Sequence, residues 1–133
     1  MTYPVSEIAT PDIAERLKGA GIRTTERLLE RAKGPKERKL LAERTGLDEK
    51  RILSLANMAD RMRIKGVGAD YAGLLQAAGV DTVKELKYRN PAKLARAMAD
   101  ANIRRKLARV LPSDGAVVRW IEQAKKLPLK ISY

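Results

Sequence analysis

The sequence predicts an all-α fold: a compact array of short helices built from a repeated helix–turn–helix unit. Three observations predict it. Of 133 residues, 44% are apolar but only 4% aromatic, with one Trp and no Phe, so Leu, Ala, Ile and Val must fill the core. Leu and Ala mixed with Lys, Arg and Glu favour helix, and only the short tail "LPLKISY" alternates as a strand would. The chain also repeats itself. At an offset of 58 residues "DIAERLKGAGIRTTERL" (Asp12 to Leu28) superposes on "DYAGLLQAAGVDTVKEL" (Asp70 to Leu86), with seven of 17 positions identical.

Taken in order, helices are expected over 11–20, 24–32, 35–44, 48–62, 69–78, 82–88, 91–99, 102–109 and 114–126. The punctuation has a mechanism. Gly21, Gly46 and Gly79 each follow an apolar-periodic run and suit the left-handed residue that ends a helix. Thr24, Asp48 and Thr82 follow within a few residues and can cap the next helix. Asn90-Pro91 reads as an N-cap followed by proline at the first helical position, where a missing N–H costs nothing. The repeated leucines, Leu17 with Leu75 and Leu28 with Leu86, face inward on this reading. "LAERTGLDEKRIL" (Leu41 to Leu53) is a weaker third echo. Trp120 shares a helical face with Val117, Ile121 and Ala124 and is expected in the core.

The length suits a single compact domain, 1–133. Within it a degenerate unit spans 8–34, central helices and an intact unit span 35–90, and basic helices span 91–133. There is no Cys and no His, which removes Cys/His zinc sites, thiol chemistry, disulfides and histidine acid–base catalysis. No metal site or cofactor is expected, and no carboxylate pair stands out, so an enzyme is not expected. No apolar run approaches a membrane span, and residues 1–10 lack the pattern of a secretory leader. The expectation is a soluble, cytoplasmic protein without membrane contact.

The formal net charge is +12. A surface this basic attracts polyanions, of which nucleic acid is the commonest inside cells. Half of the surplus lies after residue 100, in Arg104, Arg105, Lys106 and Arg109 and again in Lys125, Lys126 and Lys130. On a helix, Arg105 and Arg109 would share a face, and with Arg104, Lys125 and Lys126 they would form a phosphate-tracking surface. Solubilising charge is the competing explanation. "GPKERKLLAERTGLDEKRIL" (Gly34 to Leu53) has the outline of a base-reading motif, but Asp48 and Glu49 occupy the end that would enter a groove.

One loop sets the functional question. "MADRMRIKGVGADYAGLLQAAG" carries Gly66-Val67-Gly68 between two helical runs. Without a Cβ at either glycine, several backbone N–H groups can face outward together, and the next helix adds its own unpaired N–H groups and the positive end of its dipole. Such a concavity suits a phosphate oxygen; Lys65 would add charge, and Val67 would fasten the turn to the core. The same glycines would equally serve a purely structural corner. Asp70, in the first turn after the loop, opposes a phosphate. The first repeat has "IATPDIA" where the second has "IKGVGADYA", with no glycine and with Pro11 removing a donor.

This stretch resembles a helix-hairpin-helix. That resemblance implies that Gly66, Val67 and Gly68 contact a backbone phosphate through their amides, usually in duplex DNA and without sequence preference. Over most of its length, through "TGL", "RMRIKGVG", "YAGLLQAAGVDTVKEL", "RNPAKL" and "QAKKLP", the chain resembles bacterial proteins carrying the domain of unknown function 4332. This second resemblance implies a tandem of helix-hairpin-helix-like units and assigns no activity. The resulting expectation is a nucleic-acid-binding protein, with duplex DNA as partner; a protein-interaction module is the alternative.

Overall fold

The computed structural model describes residues 2–133. A 3-10 turn at Val5–Glu7 precedes eight helices: α1 (Pro11–Gly19), α2 (Thr25–Arg31), α3 (Pro35–Thr45), α4 (Glu49–Arg61), α5 (Ala69–Ala77), α6 (Val83–Leu86), α7 (Pro91–Arg105) and α8 (Asp114–Lys126). The fold is all-α. Among the described residues the only β pairing is an isolated bridge between Pro4 and Thr24.

The packing repeats as the sequence does. In the first half α2 and α3 lie on α4, and α1 on α3; in the second, α6 and α7 lie on α8, and α5 on α7. Each half has its own core. The first is built around Leu17, Ile22, Leu28, Leu41, Ile52 and Ala56. The second is built around Ile64, Val67, Leu75, Leu86, Leu94 and Trp120. All four repeated leucines are completely or almost completely buried. Each such side chain is worth roughly 1.5–3 kcal/mol of burial, which is why these positions recur in both halves.

The turn that follows the first helix of each half is the same object twice. The amides of Ala20 and Ile22 both donate to Leu17 O, at 3.0 and 2.9 Å. Those of Ala78 and Val80 both donate to Leu75 O, at 3.1 and 2.9 Å. Between them Gly21 and Gly79 take φ of +85° and +96°, a conformation that a Cβ would strain by roughly 1–2 kcal/mol. An arginine closes each turn: Arg31 Nη1 donates to Ala20 O at 3.4 Å and Arg89 Nη1 to Ala78 O at 3.3 Å.

Three local expectations need correction. The helices expected at 91–99 and 102–109 are one helix, α7, which runs unbroken to Arg105. Asp100 and Asn102 do not break it, since nothing there removes an N–H or forces positive φ. Asn102 instead closes the far end. Its side-chain amide donates to Ala108 O and its oxygen accepts from Ala108 N, both at 3.0 Å, past a left-handed Lys106. Arg109 therefore lies outside the helix and does not share a helical face with Arg105.

Thr82 precedes α6 but does not cap it; its hydroxyl donates to the Glu85 carboxylate. The buried Asp60 does the work from α4, accepting from Val83 N at 2.9 Å and from Arg63 at 2.8 Å. Thr24, Asp48 and Asn90 do accept first-turn amides, as expected.

Finally, the tail forms no strand. Ser132 N donates to Lys33 O at 2.7 Å, Arg38 Nη2 donates to Ser132 O at 2.8 Å, and Tyr133 donates to Asn57 at 3.1 Å. These contacts carry residues 128–133 back from α8 onto the first half. Tail bonds to side chains and single carbonyls cannot build a ladder.

Between the halves the main fastener is Arg61, 2% exposed at the end of α4. Its Nε donates to Ala72 O and its Nη1 to Asp81 O, each at 2.8 Å. Burial pushes its pKa down to about 10 against the attraction of Asp81, Asp60 and Glu85, which leaves it charged at neutral pH.

Candidate nucleic-acid interface

The glycine-framed loop follows directly from α4. After Arg61 the chain turns through Ile64, whose carbonyl accepts from Val67 N at 3.0 Å. Val67 is fully buried and its carbonyl accepts from Tyr3 Oη at 3.4 Å. Its amide is thus consumed inside the turn, and the expectation that Val67 offers an N–H to a ligand is corrected: Val67 anchors the loop. Lys65 N donates to Gln123 Oε1 at 2.9 Å, and Gln123 Nε2 returns a bond to Lys65 O at 3.3 Å. These two bonds pin the hairpin to α8.

The amides left over are those of Gly66, Gly68 and the first turn of α5. No protein acceptor takes the Gly66 or Gly68 N–H among the described residues. Gly66 is exposed and has φ +93°, whereas Gly68 is half-buried and extended, entering α5 as its N-cap. The loop is open to solvent.

It opens onto two clefts. One, of about 600 Å³, is walled by Gly66, Gly68, Tyr71 and Val110, with Arg109, Glu7 and Asp70 as its charged groups. Arg109 thus meets the loop through the segment after α7, although it is far from it in sequence. Neither carboxylate pairs with Arg109, and the two together outweigh it. The other cleft, of about 580 Å³, lies between the loop and α8. Its charged groups are Lys65 and Arg119, with no carboxylate in its lining.

The remaining basic residues are dispersed. Arg104 and Arg105 are exposed in the last turn of α7, and Lys125 and Lys126 in the last turn of α8. At helix C-termini, cations also stabilise the dipole, so these positions have a structural reason to be basic. Lys125 is engaged with Glu122 at 3.1 Å. Lys126 follows Gln123 at i+3, and Arg119 precedes it at i−4, so these three share the face of α8 that meets the loop. Lys65, Gly66 and Arg119 therefore line one cleft, Lys126 lies outside its lining, and Arg109 meets the loop through the other cleft, which shares Gly66 and Tyr71.

Arg119 was not among the residues singled out from sequence. Nothing in "AVVRWIEQ" marks it except its spacing from Gln123, whose own role depends on tertiary contact. Among the described residues, no group of three His, Cys, Asp or Glu side chains is placed to hold a metal ion. No helix among them is long and apolar enough to cross a membrane.

A family model described as a domain of unknown function (DUF4332) matches residues 7–127, both halves from the first turn to the end of α8. The chain belongs to this family. Neither the curated proteins nor the solved structures yield a match. The family's matched span stops where the tail begins to cross back over the first half.

Proposed function

We propose that the protein binds nucleic acid, duplex DNA in the first instance, through its backbone and without sequence preference. The reading is of a cytoplasmic binding module of the helix-hairpin-helix type rather than an enzyme, and it needs no cofactor. The observation that carries it is the solvent-open Gly66 amide, flanked by Lys65 and Arg119 on one side and Arg109 on the other. Backbone N–H groups and arginines together suit phosphate oxygens. Asp70 and Glu7 oppose a phosphate seated in the Arg109 cleft, so the approach from the α8 side is favoured. Sequence neutrality follows from the chemistry, because main-chain amides and cations contact phosphates, which carry no sequence information.

Binding of a labelled duplex at several salt concentrations tests this. The logarithm of the association constant should fall with log salt by about 0.9 per phosphate contacted. Affinity indifferent to salt would sink the reading.

A protein-interaction role is the second reading, favoured by one observation. Ile103, Val110 and Leu111 are 76%, 71% and 43% exposed around the end of α7, apolar surface that a phosphate backbone does not use. Tyr88 at 76%, and Leu129 and Tyr133 of the tail at 56% and 68%, add exposed apolar surface elsewhere, whereas Tyr3 is half-buried and bonded.

A further inference from the structure

The cleft between the hairpin and α8 holds a combination that duplex-backbone binding does not require. Trp120 is 3% exposed, yet its indole N–H has no acceptor. No unpartnered buried side-chain nitrogen exists among the described residues, so that N–H is reachable by solvent. It lies at the cleft wall, 3.4 Å from where a Cβ on Gly66 would stand. Glycine at that position keeps the indole N–H uncovered. The same cleft is lined by Lys65 and by Arg119, which pairs with no carboxylate among the described residues. Gly115, one turn earlier on α8, makes room for that guanidinium, which comes within 3.3 Å of the missing Cβ. Asp114 starts α8 but does not line the cleft.

Opposite these donors the wall is apolar. Tyr71 stands with its ring centroid 5.4 Å from that of Trp120, at an angle of 51°. Its hydroxyl donates to Val110 O at 2.9 Å, which holds Val110, Leu111 and Pro112 as the far side. The cleft thus has a cationic end without a carboxylate and an aromatic and aliphatic end. Its volume of about 580 Å³ is that of an ordinary small-molecule site.

We propose that this cleft binds a nucleotide, with the phosphate on Lys65, Arg119 and the Trp120 N–H and the base against Tyr71 and the 110–112 segment. The proposal goes beyond duplex binding and stands without it. The nucleotide comes either free or as the end of a single strand. The chemistry is common to both, since every base has a π-face for an aromatic wall and either source presents a phosphate to the arginine.

Trp120 is the sole tryptophan in the chain, so its emission reports on this cleft alone. Titration with adenosine monophosphate should give a saturable change, and equilibrium dialysis of the labelled nucleotide should give the same constant. Adenosine and inorganic phosphate, each lacking one half of the ligand, should bind at least about tenfold more weakly. A short single-stranded oligonucleotide binding more tightly than the mononucleotide assigns the source to strand ends; the reverse assigns it to free nucleotide. Arg119→Ala should weaken the nucleotide about tenfold, while Arg23→Ala, in the first half, should leave it unchanged. Absence of nucleotide in dialysis, equal binding of adenosine and its monophosphate, or indifference to Arg119→Ala would overturn the proposal. Duplex affinity is read separately by anisotropy of a labelled duplex, so loss of one reading is distinct from loss of the other.

Discussion

The first helix of each half is entered differently. In the first half Tyr3 and Thr25 exchange bonds, Tyr3 N to Thr25 Oγ1 at 3.0 Å and Thr25 N to Tyr3 O at 2.8 Å, and Val5 N reaches Arg23 O at 2.9 Å. These bonds tie the chain before α1 to the start of α2, and Pro11 removes a donor from α1. In the second half the approach is Ile64 to Gly68, with Gly66 exposed and its amide unpaired. The turns that follow match almost bond for bond, down to Arg31 and Arg89. Packing thus dictates what is common to the halves, while the entries have diverged: the first carries Pro11 and no glycine, and the second presents an exposed Gly66 over the buried Ile64 and Val67. The difference extends to the amide that starts the second helix of each half. Thr25 N is satisfied by Tyr3 O, and its counterpart Val83 N by the Asp60 carboxylate.

That last contrast yields the largest expected effect. Asp60→Ala should cost about 3 kcal/mol, because it leaves Val83 N without an acceptor and the half-buried Arg63 without its partner. Urea unfolding measures it. A cost below about 1 kcal/mol would show that the second half does not depend on this cap.

Next come the paired glycines. Gly21→Ala and Gly79→Ala should each cost roughly 1–2 kcal/mol through left-handed strain, and nearly the same amount. Unequal unfolding midpoints would break the equivalence of the two turns.

Smaller again are Arg31→Ala and Arg89→Ala, each expected to cost about 0.5–1 kcal/mol for a long hydrogen bond at the protein surface. A double variant should be additive, since the two sites belong to separate cores.

The smallest effect is on binding and sets the halves apart. Lys65→Ala should lower the salt slope of duplex binding by about one. Arg23→Ala, in the first half, should leave it unchanged. Equal loss from both would mean diffuse charge rather than a site in the second half.

What the sequence revealed and what it hid divide along physical lines. Glycines at positive φ, caps at Thr24, Asp48 and Asn90, and leucines at repeat spacing are local or periodic signals, and each stands where expected. The repeat, extended three residues past Leu28 and Leu86, also aligns Arg31 with Arg89, so the turn-closing arginines had a visible signal. Arg61 and Arg38 had none. Amid "MADRMR" and "PKERK" an arginine looks like any solvated charge, and its burial is decided by carbonyls supplied from other elements: Ala72 and Asp81 for one, Ala32 and Ser132 for the other. Arg109 and the loop illustrate the same limit at the site. Their meeting depends on where α7 ends, which Asn102 determines through a cap that resembles a break in the sequence.

The returning tail has a mechanical consequence. Tyr3 is tied to Thr25, and Ser132 to Lys33, so both ends of the described chain are moored to the first half. The second half is topologically an insertion, joined at two crossings, after Arg61 and before Pro128, and it cannot swing on one hinge. Tension applied at the ends of the described chain would load those moorings, and the Tyr3 contact with Val67, before it reached the helices of the second half.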